Sequence, residues 1–196
     1  MVSDSITGPT PTMATVPHES SGAYLQTVPR AESAVERLQA QFPDIFFEVR
    51  RFRDEVTVYV PRERIVEVCR FCKNGEGMGY DYLSDITGND WPDRDPRFEV
   101  IYQLYSMQHF TYLRLKVRAP EDDLTVPSVT SVWRVANWPE REVFDLFGIR
   151  FEGHPDLRRI MLSEDWNGHP LRQTEEVGWE YPEFTVRKVP RDYAKG

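Results

Sequence analysis

Ala136-Asn-Trp-Pro-Glu-Arg-Glu-Val-Phe-Asp-Leu-Phe-Gly148, running on through Gly153-His-Pro-Asp-Leu-Arg-Arg159, is the densest run of charged, aromatic and glycine residues in the chain. Asn137 has the side chain of an N-cap, Glu140 stands three residues on as in a capping box, and Gly148 suits the left-handed residue that ends a helix. The segment predicts one short helix of about three turns. At about 100° per residue, Val143, Leu146 and Phe147 share a face with Pro139, flanked by Phe144, while Arg141, Glu142 and Asp145 share the opposite one. Glu140 falls on the apolar side, where a carboxylate needs a cation or several donors. Arginine is the simplest partner, and Arg158, Arg159 and Arg172 are the nearby candidates. Arg141 and Asp145 form an i, i+4 pair worth roughly 0.2–0.5 kcal/mol on a surface. Helix stability alone is a thin account of so many charges, so a recognition surface or a reacting site is the sharper reading.

Outward from this stretch, Gly153-His-Pro and Gly168-His-Pro form a small repeat, and each can turn the chain sharply with His154 or His169 at the corner. Ser163-Glu-Asp-Trp166 between them suggests a capped turn. Upstream, Phe98–Ser106 and Phe110–Arg118 alternate as two strands turned over at Met107–His109, where His109 reads as a surface residue. Tyr80–Thr87 is a further strand, followed by a polar loop from Gly88 to Pro96. Ile45–Arg50 and Glu55–Val60 read as a hairpin, and Arg62–Lys73 as a helix with Pro61 before its first turn. An earlier helix is marked by Ala34, Val35, Leu38 and Phe42 until Pro43 stops it. Residues 120–127 are acidic and proline-bounded, and work as a link. The fold class expected is α+β: an antiparallel sheet packed with two helices, followed by a short helix and an irregular C-terminal extension.

With 196 residues the chain suits one domain with tails. Residues 1–29 are rich in Ser, Thr, Pro and Gly and predict a disordered tail, residues 30–173 the folded domain, and residues 174–196 an extended aromatic arm. The net charge of -8, with no dominating basic cluster, argues against nucleic acid as a partner. No apolar run approaches the roughly 18 residues of a membrane span. The N-terminus has neither an apolar h-region nor a basic presequence, from which a bacterial cytoplasmic origin is expected. Cys69 and Cys72 have C-x-x-C spacing but share one apolar stripe with Ile65 and Val68, so core packing is expected; zinc would need two more ligands. The three glycines of Gly75 to Gly79 follow a helix instead of a strand, and Glu76 would repel a phosphate, so a dinucleotide loop is rejected.

Glu140-Arg141-Glu142, Asp145, Gly148-Ile149, Phe151, Gly153-His154-Pro155, Leu157 and Arg159-Ile160 resemble the signature of the 30 kDa subunit of respiratory complex I. Pro127-Ser-Val-Thr130, Trp133, Ala136-Asn-Trp138 and Gly168-His-Pro-Leu-Arg172 extend the resemblance over about Val126 to Arg172. One departure is Gln173-Thr174, where the family has Lys-Asp. The resemblance implies a non-redox structural subunit of the peripheral arm of proton-translocating NADH–quinone oxidoreductase. Such a subunit docks against the 49 kDa-type subunit near the quinone site, on the cytoplasmic side of the bacterial plasma membrane. It implies no catalytic residues and no bound cofactor or metal in this chain. FMN and iron–sulfur clusters would lie in other subunits, and NADH and quinone would be met only through the complex. Glu140, Arg141, Glu142, Asp145, His154, Arg158, Arg159, His169 and Arg172 are then interface or structural residues. Two alternatives are an equivalent subunit of a ferredoxin-driven or hydrogenase-type relative, and a metal-dependent hydrolase using Glu140, Glu142, Asp145, His154 and Asp156. The second conflicts with helical geometry, since Glu140 and Glu142 stand about 200° apart.

Overall fold

The computed structural model describes residues 27–53 and 55–175. The expected tail and arm, apart from residues 27–29 and 174–175, lie outside the described residues. Helix α1 (Thr27–Gln41) leads into strands β1 (Glu48–Phe52) and β2 (Glu55–Tyr59). A 3₁₀ turn at Arg62–Arg64 opens helix α2 (Ile65–Asn74). Strands β3 (Tyr82–Asp90), β4 (Phe98–Ser106) and β5 (Thr111–Ala119) follow. A second unit consists of β6 (Thr125–Pro127), a 3₁₀ turn at Arg134–Ala136, helix α3 (Asn137–Phe147) and β7 (Arg150–Glu152).

The five strands of the main sheet lie in the order β1-β2-β5-β4-β3. Period-two alternation builds its core face: Val56 and Val58, Leu113, Leu115 and Val117, and Val100, Tyr102 and Leu104 are all buried, joined by Leu83 and Ile86 of β3 across a register shift in that strand. Neighbouring strands are antiparallel at every junction but one. Strand β2 runs parallel to β5, with Val58 opposite Leu115, so the sheet is mixed and not purely antiparallel as expected. Strands β2 and β5 are joined by the long crossover that a parallel pair requires, through α2, β3 and β4.

Helix α1 packs on β2 and β5, and its Glu32 accepts from Arg51 of β1. The apolar stripe of α2 buries Ile65, Val68, Cys69 and Cys72 completely, as the core reading of the cysteines expects. Burial pushes both thiols above their ordinary range, the reverse of an activated pair. The glycine-rich segment closes α2 through the Gly75 N–H donating to Phe71 O, and Arg37 holds the Glu76 carbonyl.

Strand β3 extends through Gly88–Asp90, beyond the predicted end at Thr87. Gly88 has a specific reason: a Cβ there would stand 2.7 Å from the Phe147 ring, so its absence lets α3 lie directly on β3. Strands β6 and β7 flank α3 in the chain and pair in parallel, Val126 opposite Phe151. Each is only three residues long, too short for alternation to reveal, and β6 falls at the end of the expected link.

Candidate functional site

Helix α3 begins one residue differently from the predicted capping box. Asn137 is already helical, Ala136 holds the N-cap position, and no side chain caps the end. The preceding 3₁₀ turn supplies the entry instead, with Ala136 N–H donating to Trp133 O. Glu140 is thereby free of a capping duty and turns inward.

Glu140 is 0% exposed. Its Oε1 accepts the Val129 N–H at 2.7 Å and its Oε2 accepts the Ser128 hydroxyl at 2.6 Å. The expected arginine is not there. Arg158, Arg159 and Arg172 are engaged elsewhere, and the nearest basic group is His154 Nε2 at 4.0 Å. That imidazole is arranged as a neutral ring: its Nδ1 accepts the Asp156 N–H at 3.0 Å, which leaves Nε2–H to donate to Asn137 O at 3.1 Å. Two donors without a cation compensate a buried carboxylate incompletely. Burial therefore pushes the Glu140 carboxyl up to about 7, against the lowering effect of Ser128 and Val129. Tyr102 and Cys69 face the same carboxyl, and burial pushes both up as well, so they offer no charge. The site can hold either form of the acid. When Glu140 is protonated it can donate to Ser128 Oγ, which then turns its hydrogen to Thr130 Oγ1, 2.8 Å away.

Arg141 and Asp145 were expected on an outer charged face, paired with each other. The structure buries both and pairs neither with the other. Residues 154–162 fold back over that side of α3. Asp145 collects the N–H groups of Ile160, Met161 and Leu162 at 3.0, 2.8 and 2.9 Å, and the Arg159 guanidinium at 2.7 Å. Burial alone would raise its pKa; these donors outweigh it and hold the carboxyl below its ordinary value. Arg141 donates to the carbonyls of Arg158 and Arg159, each at 3.1 Å. The Arg158 side chain itself is exposed and pairs with Asp156, a surface contact of little energetic weight. Glu142 is the one predicted site residue of α3 left facing outward.

The C-terminus of α3 is closed by the second Gly-His-Pro segment. Gly148 adopts φ 77°, as a left-handed closing residue should, and its N–H donates to Phe144 O at 2.9 Å. The next carbonyls are taken in turn: Asp145 O by His169 Nδ1–H at 2.8 Å, Leu146 O by the Leu171 N–H at 3.1 Å, and Phe147 O by Arg172 Nε at 2.7 Å. All of the last four carbonyls of the helix are thus satisfied, and the Arg172 charge sits at the negative end of the dipole. Arg172 also lies over the Phe98 ring, 5.3 Å from its centroid.

Sequence reasoning missed two parts of this arrangement. Ser128 and Val129 serve Glu140, yet nothing local in Pro127-Ser-Val-Thr130 announces it beyond two hydroxyls ahead of the helix. Asp90, in what read as a polar loop, and Arg97, just beyond that loop, form a bidentate buried pair at 2.6 and 2.9 Å. Asp90 also accepts the Gln173 N–H at 2.8 Å, and Arg97 reaches Thr174 Oγ1 at 3.2 Å. At Gln173 the anchoring contact is made by backbone, which makes that position tolerant of side-chain change. The hydrolase alternative finds no support in the geometry. Glu140 points inward, Asp145 is fully engaged, and among the described residues no group of three or more His, Cys, Asp or Glu is placed to hold a metal ion.

Residues 58–180 match the family described as the respiratory-chain NADH dehydrogenase 30 Kd subunit. An NADH-quinone oxidoreductase subunit of Geobacter sulfurreducens is 48% identical over 141 residues, covering 71% of this chain and 86% of that one. The protein of the same name from Roseiflexus sp. is 44% identical over 156 residues, covering 80% and 90%. Among solved structures, the trypsin-resistant fragment of Nqo5 aligns with TM-score 0.56 at 36% identity, over 65% of this chain and 99% of that one. A chain of the membrane-bound sulfane sulfur reductase, an archaeal respiratory membrane complex, aligns with TM-score 0.59 at 28% identity, over 69% and 78%. No helix among the described residues is long and apolar enough to cross a membrane. The network around α3 lies within the matched span, and the chain belongs to the family of the 30 kDa subunit of respiratory-chain NADH dehydrogenase, the NADH–quinone oxidoreductase of complex I.

Proposed function

We propose that this chain is a non-redox structural subunit of the peripheral arm of a proton-translocating NADH–quinone oxidoreductase, docked against the 49 kDa-type subunit near the quinone site. The observation that carries this reading is how the ionisable residues around α3 are used. Arg141, Asp145, Arg159, His169 and Arg172 are each bound to a carbonyl, an N–H or one another inside the chain. Such groups fix the shape of a body; they are not presented to a substrate. The buried cysteines, with thiols pushed up, are not placed to ligate a cluster. Flavin and iron–sulfur clusters would be carried by other subunits, with NADH and quinone met only through the complex. The assembly would stand on the cytoplasmic side of a bacterial plasma membrane, attached through its neighbours.

Affinity purification of the tagged full chain from native membranes tests this. The expected eluate contains flavin- and cluster-bearing subunits and oxidises NADH with a quinone. Recovery of the chain alone, or turnover by it alone, would overturn the reading. The similarity to a chain of the archaeal sulfane sulfur reductase complex favours, as a second reading, the equivalent subunit of a relative with another electron donor. Oxidation of reduced ferredoxin but not NADH by the purified assembly would decide for it.

A further inference from the structure

The outward face of α3 is not the charged surface its sequence suggested. With Arg141 and Asp145 covered by residues 154–162, what remains is an apolar stripe. Trp138 is 63% exposed and Val135 53%, Leu146 follows further along, and Leu171 continues the stripe beyond the helix end. In its middle stands Glu142, exposed, with no hydrogen bond or ion pair to any other described residue. Between α3 and β3 the stripe opens into a notch of about 60 Å³. Ile86, Val143, Phe147 and Leu171 give it apolar walls, and Asp85 and Glu142 stand as two carboxylates on its lining. Asp85, too, has no polar partner among the described residues.

The notch is several-fold smaller than the roughly 300–1,000 Å³ of small-molecule sites, and of a size for one side chain. An exposed apolar stripe invites cover by another polypeptide. Covering it would strip water from Glu142 and Asp85, and two like charges cannot be dried together without a counter-ion. Neither carboxylate is paired with an arginine or lysine among the described residues, so a counter-ion carried by whatever covers the stripe would complete the site. A long basic side chain meets both demands: its methylene stem lies on the apolar walls and its head meets the carboxylates, the guanidinium of arginine better than the ammonium of lysine.

We propose that the notch between α3 and β3 receives a basic side chain, arginine or lysine, set among apolar residues on the neighbouring subunit against which this chain docks. The proposal rests on the docking reading above and names the chemistry of that contact. Trp138 and Leu171 form the apolar rim, Glu142 and Asp85 fix the register, and complementary charge selects the partner.

The test uses the complex purified through a tag on the full chain. Replacing Trp138 by the photo-crosslinker p-benzoylphenylalanine should yield, after irradiation, a crosslink to a peptide of another subunit that carries Arg or Lys beside apolar residues. Glu142→Arg should speed dissociation of the chain from the complex about tenfold or more, Glu142→Gln by less, and neither should move the urea midpoint of the free chain. A crosslink only to this chain's own residues 176–196, a crosslinked peptide without a basic residue, or unchanged dissociation of Glu142→Arg would overturn the proposal. If the unsubstituted chain brings no redox subunits with it, the docking reading itself fails; if it does and Glu142→Arg behaves normally, only the notch is refuted.

Discussion

Replacing Glu140 by glutamine separates two accounts of a carboxyl that is fully buried in the fold. An acid paired with arginine would make Glu140→Gln destabilising by several kcal/mol at neutral pH, because the cation would be stranded. The structure has no such cation, and predicts the opposite dependence. A carboxyl that titrates at 4.5 in the unfolded chain and about 7 in the folded one binds its proton more tightly when folded. Its contribution is complete below pH 4.5, falls as pH rises toward 7, and is gone above it. At about 1.36 kcal/mol per pH unit the loss between pH 5 and pH 8 is roughly 2–3 kcal/mol. Glutamine keeps an acceptor for Val129 and cannot ionise, so that slope disappears. Urea unfolding of both proteins at several pH values, followed by circular dichroism, measures the difference directly. The gap between their midpoints should change by about 1 M urea from pH 5 to pH 8 in favour of the glutamine protein. Parallel pH profiles, or a glutamine protein that is crippled at pH 8, would refute the reasoning.

The remaining predictions concern the groups that tie residues 154–172 to α3, and the cysteines beneath the sheet. Asp145→Asn should lower stability by about 3 kcal/mol, since one amide oxygen cannot replace a carboxylate that serves three N–H groups and Arg159; an unchanged urea midpoint would contradict this. Because the donors hold the Asp145 carboxyl below its ordinary value, its contribution is present above the ordinary carboxyl range and is lost as pH falls through the folded value, so the stabilities of wild type and Asp145→Asn should converge as the solution is acidified below that range. Arg172→Ala should cost about 1–2 kcal/mol through the loss of the Phe147 carbonyl bond and the contact with Phe98, and thermal melting will show it. Cys69 and Cys72 should resist a thiol reagent in the folded chain and react at a rate that follows unfolding, with rapid labelling of the native protein as the contrary result.

What can be read from sequence, and what cannot, divides by distance along the chain. Gly148 ends α3 because that requirement is local: one residue in the left-handed region. Strands β4 and β5 are visible because alternation and a turn are local as well. The direction in which β2 meets β5 is not, since parallel and antiparallel ladders share the same alternation. Helical phase correctly sends Glu140 inward, but its partners lie 11 and 12 residues upstream, on a loop with no periodicity. Phase also sends Arg141 and Asp145 away from the sheet, again correctly. It cannot show that residues 154–162 return to cover them and turn an apparent outer face into a second interior. Glu142, only one position from Arg141, escapes that cover and stays on the surface, where helical phase puts the whole group.

Under the proposed function, this chain shapes and joins redox machinery held in other subunits. Deleting it from a host and assaying the membranes with two electron acceptors tests that claim most directly. NADH oxidation by quinone should be lost and return with the full chain, while NADH oxidation by an artificial acceptor that takes electrons at the flavin should persist. Loss of both activities with the flavin subunit still present, or retention of quinone reduction without this chain, would contradict it.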